Sequence, residues 1–130
     1  MPITFRLHTD PDFVEVVHTG VVTVREMLDV LYKIVGEVRF DTGLLHVLNV
    51  HDGSDLSHIC DADMDALRDA LEEARRIRQG SLRTRAATLV PDPQTRALLE
   101  RWLDLQDRPA HARDRFFTTR EEAMAWLFKD

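Results

Sequence analysis

Cys60 is the only cysteine in the 130 residues, which excludes an intramolecular disulfide and a cysteine-based metal cluster and suits a reducing compartment. No stretch reaches the ~18 apolar residues of a membrane span. Met1-Pro2-Ile3-Thr4-Phe5-Arg6 lacks a basic region followed by a long apolar run, so the cytoplasm is the default location. Basic excess is missing too: a net charge of -6 and a pI near 5.5 argue against a general nucleic-acid binder, which needs a basic surface to neutralise phosphates. No repeat, low-complexity tract or long linker divides the chain. With 44% hydrophobic residues, 130 residues suffice for one core and are too few for two ordinary ones, so a single domain over 1–130 is expected.

What is present is organised around Gly43-Leu44-Leu45-His46-Val47-Leu48-Asn49-Val50-His51-Asp52-Gly53. Its aliphatic residues show no alternation, as in a strand covered on both faces within a parallel sheet. The run is short and lies between Asp41-Thr42-Gly43 and Asp52-Gly53, turn residues that favour a strand over an all-apolar helix.

Ahead of it, Ile3, Phe5 and Leu7 alternate with Thr4, Arg6 and His8, and a β-branched run from Phe13 to His18 follows Thr9-Asp10-Pro11-Asp12. These read as two antiparallel strands, the second closed by Thr19-Gly20. Thr23 and Glu26 stand at capping-box spacing before a helix whose Val24, Met27, Leu28, Leu31, Ile34 and Val35 recur at helical intervals up to Gly36. After a polar loop from Asp52 to Cys60, a second helix runs from Asp61 or Asp63 to Gln79, with Leu67, Ala70, Leu71, Ala74 and Ile77 as its buried stripe. Acids in its first turns and Arg75, Arg76 and Arg78 in its last suit the helix dipole. Ala86 to Val90 reads as a short strand, and Pro91-Asp92-Pro93 places an N-cap carboxylate before a proline at the first position of a third helix carrying Leu98, Leu99, Trp102, Leu103 and Leu105. Beyond a loop around Arg108-Pro109 come a strand from Ala112 to Phe117 and a last helix capped by Thr118 or Thr119, with Ala123, Trp126 and Leu127 on one face. Removing that helix is expected to unfold the domain, and a buried Trp126 would cost on the order of 3 kcal/mol or more on truncation to alanine. The order ββαβαβαβα predicts an α/β fold with a mixed, mostly parallel sheet, the opening pair at one side and helices on both faces.

This order, together with Thr19-Gly20-Val21-Val22-Thr23, the central strand and the ending Arg115-Phe116-Phe117-Thr118-Thr119-Arg120-Glu121-Glu122-Ala123-Met124-Ala125-Trp126-Leu127, resembles the SpoIIAA-like proteins, a STAS-related group, over nearly the whole chain. The resemblance implies a STAS-like fold shared with anti-sigma-factor antagonists and likened to CRAL-TRIO lipid carriers, with no catalytic set. The antagonists carry a phosphorylatable serine in an Asp-Ser-Ser/Thr-Gly motif at the start of the helix after the central strand. Here that region reads Asp61-Ala62-Asp63-Met64, without the serine, although Ser54 and Ser57 lie earlier in the loop. What carries over is the location of a partner surface.

In open α/β sheets ligands gather beyond the carboxyl ends of parallel strands, so His51 to Cys60, Pro91 to Pro93 and Thr118-Thr119 should share one rim. Ser54, Asp55, Leu56, Ser57, His58 and Ile59 form the candidate partner-binding edge. Leu56 and Ile59 are apolar in a polar loop, and either face a partner or tuck under and pin the loop to the sheet. His46, His51, Asp52, His58 and Cys60 match no familiar metal-site spacing, and His46 and His51 fall on opposite faces of a strand, so no metal and no cofactor is expected. Asp52-Gly53-Ser54-Asp55 is most simply a turn. Arg75, Arg76, Arg78, Arg83 and Arg85 make a local basic cluster, of which the first three are a weak candidate for binding an anion. Trp102 and Trp126 sit at core spacing, and no Ser, His and acid set has an interpretable order. The favoured reading is a non-enzymatic STAS-like domain that binds a protein partner or a second copy of itself. The alternative is a carrier or sensor of a small apolar or lipid-like molecule held between helices and sheet.

Overall fold

The computed structural model of the protein describes residues 2–36, 44–77, 83–105 and 112–129. The elements follow the expected order: β1 (Ile3–His8), β2 (Phe13–Val21), α1 (Val24–Val35), β3 (Leu44–Asp55), α2 (Asp61–Ile77), β4 (Arg83–Leu89), α3 (Pro93–Leu105), β5 (Ala112–Phe117) and α4 (Arg120–Leu127). The strands lie in the spatial order β1-β2-β3-β4-β5, with β1 antiparallel to β2 and every later pair parallel. The Asp41-Thr42-Gly43 turn, Gly80 and the loop around Arg108-Pro109 lie outside the described residues.

Strand order dictates how the helices are shared between the faces. Each of the three parallel crossovers steps one strand in the same direction, and right-handed crossovers that all step the same way put their helices on one face. Accordingly Ile34 and Val35 of α1, Ala74 of α2 and Trp102 of α3 join one core with Ile3, Val14, Val16 and Leu45 of the sheet. The chain leaves β5 with no further strand to reach, and α4 turns back across the other face, where Ala123 and Leu127 pack on Phe13, Leu48, Ala87 and Phe117. β3 serves both cores, Leu45 and Val47 on one face and Leu48 and Val50 on the other, which is why its aliphatics do not alternate with polar residues.

The caps follow the sequence. Thr23 Oγ1 accepts from the Glu26 amide at 3.4 Å and donates to the Glu26 carboxylate at 2.9 Å. Asp92 accepts from the amides of Gln94 and Thr95, both at 3.3 Å, ahead of Pro93 at the start of α3. Thr119, rather than Thr118, caps α4 by accepting from the Glu122 amide at 3.3 Å. At the head of α2 the Asp63 carboxylate accepts from the Cys60 amide at 3.0 Å, and the helix starts at Asp61.

Strand ends differ from expectation because pairing overrides local turn signals. β4 begins at Arg83 rather than Ala86, since β3 hydrogen-bonds alongside it. β3 continues past Asp52-Gly53 to Asp55, and β2 to Val21. The register runs His18 opposite His51 and then Gly20 opposite Ser54, so β3 carries one extra residue. Gly53 takes up that bulge at a φ of 67°, a conformation that disfavours any residue with a Cβ.

Trp126 is only partly buried, a correction to the expectation that its indole sits in the core. It lies at the edge of the α4 core, 5.7 Å from the Phe117 ring and under the Arg85 guanidinium at 4.6 Å, while Leu127 is fully enclosed. An edge site relaxes more readily than a sealed one, so Trp126→Ala is expected to cost about 1–2 kcal/mol instead of 3 or more, read as a shift of the urea midpoint at constant slope.

Candidate functional site

The helix-covered face of the sheet is not completely filled. A cavity of about 200 Å³ lies between α1, α2 and the sheet. Its roof is aliphatic: Val30, Leu31 and Ile34 of α1 with Leu67 and Leu71 of α2. The floor is made by Val16 of β2, Leu45 and Val47 of β3 and Ala86 of β4. Small side chains on β4 explain the space, since Ala86 stands opposite Val47 where a larger aliphatic would reach up to the helices.

Only three polar side chains line the cavity among the described residues: His18, Asn49 and Thr84, none of them charged by nature at neutral pH. His18 and Asn49 occupy neighbouring strands on one face. Asn49 stands opposite Val16, and His18 lies two residues further along β2, toward the carboxyl ends of the parallel strands. The cavity is therefore apolar over most of its wall, with His18 and Asn49 toward the end where α/β sheets bind ligands and Thr84 at the other end, opposite Leu45.

His18 is 5% exposed, and its Nδ1 lies 3.1 Å from the Val50 carbonyl oxygen. A carbonyl only accepts, so Nδ1 carries the proton and Nε2 is left as an acceptor. Burial pushes the His18 pKa down, with the Val50 hydrogen bond opposing it in part. Stacked on His18 at 4.2 Å and within 7° of parallel is His51, whose Nδ1 is 2.9 Å from Ser54 Oγ. Burial, and then repulsion from a charge on His18, lowers the His51 pKa to about 3. Both rings are neutral at physiological pH.

The residues singled out in the sequence separate in space. Ser57 and His58 are exposed, and Ser54 and Asp55 are half-buried. Leu56 and Ile59 are only 3% and 6% exposed and belong to the helix-side core, which removes them as the apolar centre of a docking edge. They pin the loop, and the Asp55 carboxylate accepting from the Ser57 amide at 2.9 Å shapes it. The large apolar side chain exposed at this rim is Val21, opposite Asp55 on β2. Arg76 is exposed and paired with Glu73 at 2.7 Å; the Arg75 side chain and Arg78 lie outside the described residues. His46 does face away from His51, against the Phe128 ring at 4.9 Å, and no group of three metal-ligating side chains comes together among the described residues.

His18 and Asn49 were not singled out in the sequence. A signal existed for each: Asn49 is an amide inside an otherwise aliphatic stretch, and His18 ends a β-branched run. Such polar residues in a doubly covered strand need a partner or a cavity.

On the opposite face, a polar groove is lined by Thr4, Arg6, Glu15 and Val17. Arg120 holds Glu15 through two bonds of 2.9 Å, and that pairing keeps the Glu15 carboxyl below its usual pKa. This ion pair ties the start of α4 to β2 and needs no ligand to satisfy it.

No protein-family model matches the chain, and no curated protein matches it. Among solved structures it is similar to an uncharacterised protein of the DUF3478 family with a SpoIIAA-like fold from Shewanella loihica PV-4, with a TM-score of 0.54 and 18% identity over 96% of this chain and 91% of that one. The chain thus has a SpoIIAA-like fold, as the sequence resemblance implied. No described helix is long and apolar enough to cross a membrane.

Proposed function

We propose that this chain is a non-enzymatic binding domain that holds a small, largely apolar molecule in the cavity between α1, α2 and the sheet. The observation that carries this reading is the cavity itself: about 200 Å³ of mostly aliphatic wall, with His18 and Asn49 as uncharged polar groups toward one end and Thr84 toward the other. An apolar cavity of roughly 150 Å³ already accepts a molecule the size of benzene. Protein-partner binding at the loop after β3, the reading favoured from sequence, loses support because Leu56 and Ile59 are core residues. That edge retains only Ser54, Asp55, Ser57 and His58, polar residues that make an interface rim and not its centre. The likeness of fold to carriers of apolar molecules, inferred from the sequence resemblance, points the same way as the cavity.

Toluene serves as the probe. At ten times its dissociation constant it should stabilise the folded chain by about 1.4 kcal/mol, raising the melting temperature by roughly 3–6 °C. Ala86→Phe fills the floor and should abolish the rise while circular dichroism shows a folded chain. An equal rise in the filled variant, or none in the wild type up to the solubility limit of toluene, would refute the assignment.

A further inference from the structure

The polar end of the cavity narrows the chemistry of what it takes. Nδ1 of His18 is committed to the Val50 carbonyl, so the group His18 can offer is the Nε2 lone pair, for which no partner stands among the described residues. Asn49 lines the same end and has no side-chain hydrogen bond among the described residues. Its amide both donates and accepts. An O–H or N–H brought in by a ligand would meet that lone pair at the edge of an otherwise apolar pocket.

Charge narrows the class further. No Lys, Arg, Asp or Glu lines the cavity among the described residues, so an ionised carboxylate, phosphate or amine would be buried without a counter-charge. The volume of about 200 Å³ suits a single aromatic ring with a small substituent, or an aliphatic chain of comparable bulk. The stacked His51 ring and its bond to Ser54 hold His18 in place from behind, so the acceptor is preorganised.

We propose that the site is built for neutral hydroxyl compounds of about one ring in size, the hydroxyl donating to Nε2 of His18 and accepting from the side-chain amide of Asn49. This rests on the binding reading above and specifies its ligand. It makes the site selective against the fatty carboxylates that an aliphatic wall alone would admit.

Three probes of matched shape test it: p-cresol, p-xylene and 4-methylbenzoate, titrated against the wild-type chain by calorimetry, with the methyl resonances of Val30, Leu31 and Leu67 reporting the location. A purely apolar cavity prefers p-xylene, whose transfer from water is the more favourable. The hydroxyl site predicts that p-cresol binds about 5-fold tighter than p-xylene, and that 4-methylbenzoate does not bind. His18→Phe keeps a ring against His51, removes the acceptor, and should reverse the order so that p-xylene wins. If p-xylene is the tighter ligand of the wild type, or 4-methylbenzoate binds best, the hydroxyl assignment is overturned while the binding cavity stands. Failure of all three to move those resonances removes the cavity reading as well. Should His18→Phe not fold, the wild-type ranking alone decides.

Discussion

Replacing Trp102 by alanine is expected to lower the unfolding free energy by about 3–5 kcal/mol, a large share of the 5–15 kcal/mol that holds an ordinary domain together. Trp102 is 2% exposed and is the largest fully buried side chain described. It projects from α3 into the helix-side core, where its neighbours Leu98 and Leu99 are only partly buried. Truncation leaves a void in that core, whose sheet side is held by strand pairing and cannot readily collapse to fill it. Trp102→Phe refills most of that space and should recover more than half of the loss. Urea unfolding of the three proteins checks this. A midpoint unchanged in Trp102→Ala would mean that α3 does not close the core.

Mild acid is expected to destabilise the chain through the His18–His51 pair. In the unfolded chain both rings protonate near pH 6.5, whereas folding holds His18 below that value and His51 at about 3. Between those limits the unfolded state binds more protons, so stability falls as pH falls and is fully present above pH 6.5. One depressed histidine contributes about 1.4 kcal/mol per pH unit, so His51 alone costs about 2 kcal/mol by pH 5, with a further loss from His18 in the same direction. His51→Phe preserves the stack, removes one titrating group and should flatten the decline by about that amount. Equal urea midpoints for the wild type at pH 7.5 and pH 5 would contradict the burial of a neutral pair. Working above pH 5 keeps the Glu15 carboxylate, also lowered by its pairing with Arg120, from contributing.

Element order was legible in the sequence wherever local chemistry and pairing agree. Asp92-Pro93, Thr23 with Glu26 and Thr119 with Glu122 each mark a helix start that tertiary contacts have no reason to move. Boundaries failed where a strand is defined by its neighbours. Gly53 reads as a turn residue, yet β2 carries the ladder past it and converts it into a bulge. Helices on both faces could be foreseen, but not their division into three and one, because that depends on the strand order in space.

The site was less legible, and the reason is geometric. A loop that is polar apart from Leu56 and Ile59 has the same sequence whether those two face a partner or the core, and the structure places them in the core. A cavity is the space that side chains distant in sequence fail to fill, here Ala86 of β4 beneath Leu31 of α1 and Leu71 of α2, so no single stretch announces it. His18 and His51 meet only through the β2–β3 register. His51 was visible as a histidine at the end of a central strand; its stacking partner, which turns toward the cavity, was not.

Native mass spectrometry of wild-type protein and of Ala86→Phe, each sprayed from a solution that contains p-cresol, is the most direct test of binding in the cavity. One p-cresol is expected on each wild-type chain, lost on denaturation, and none on the filled variant. Wild type that retains no p-cresol at concentrations that saturate other apolar cavities of this size, or a filled variant that retains as much, would contradict it.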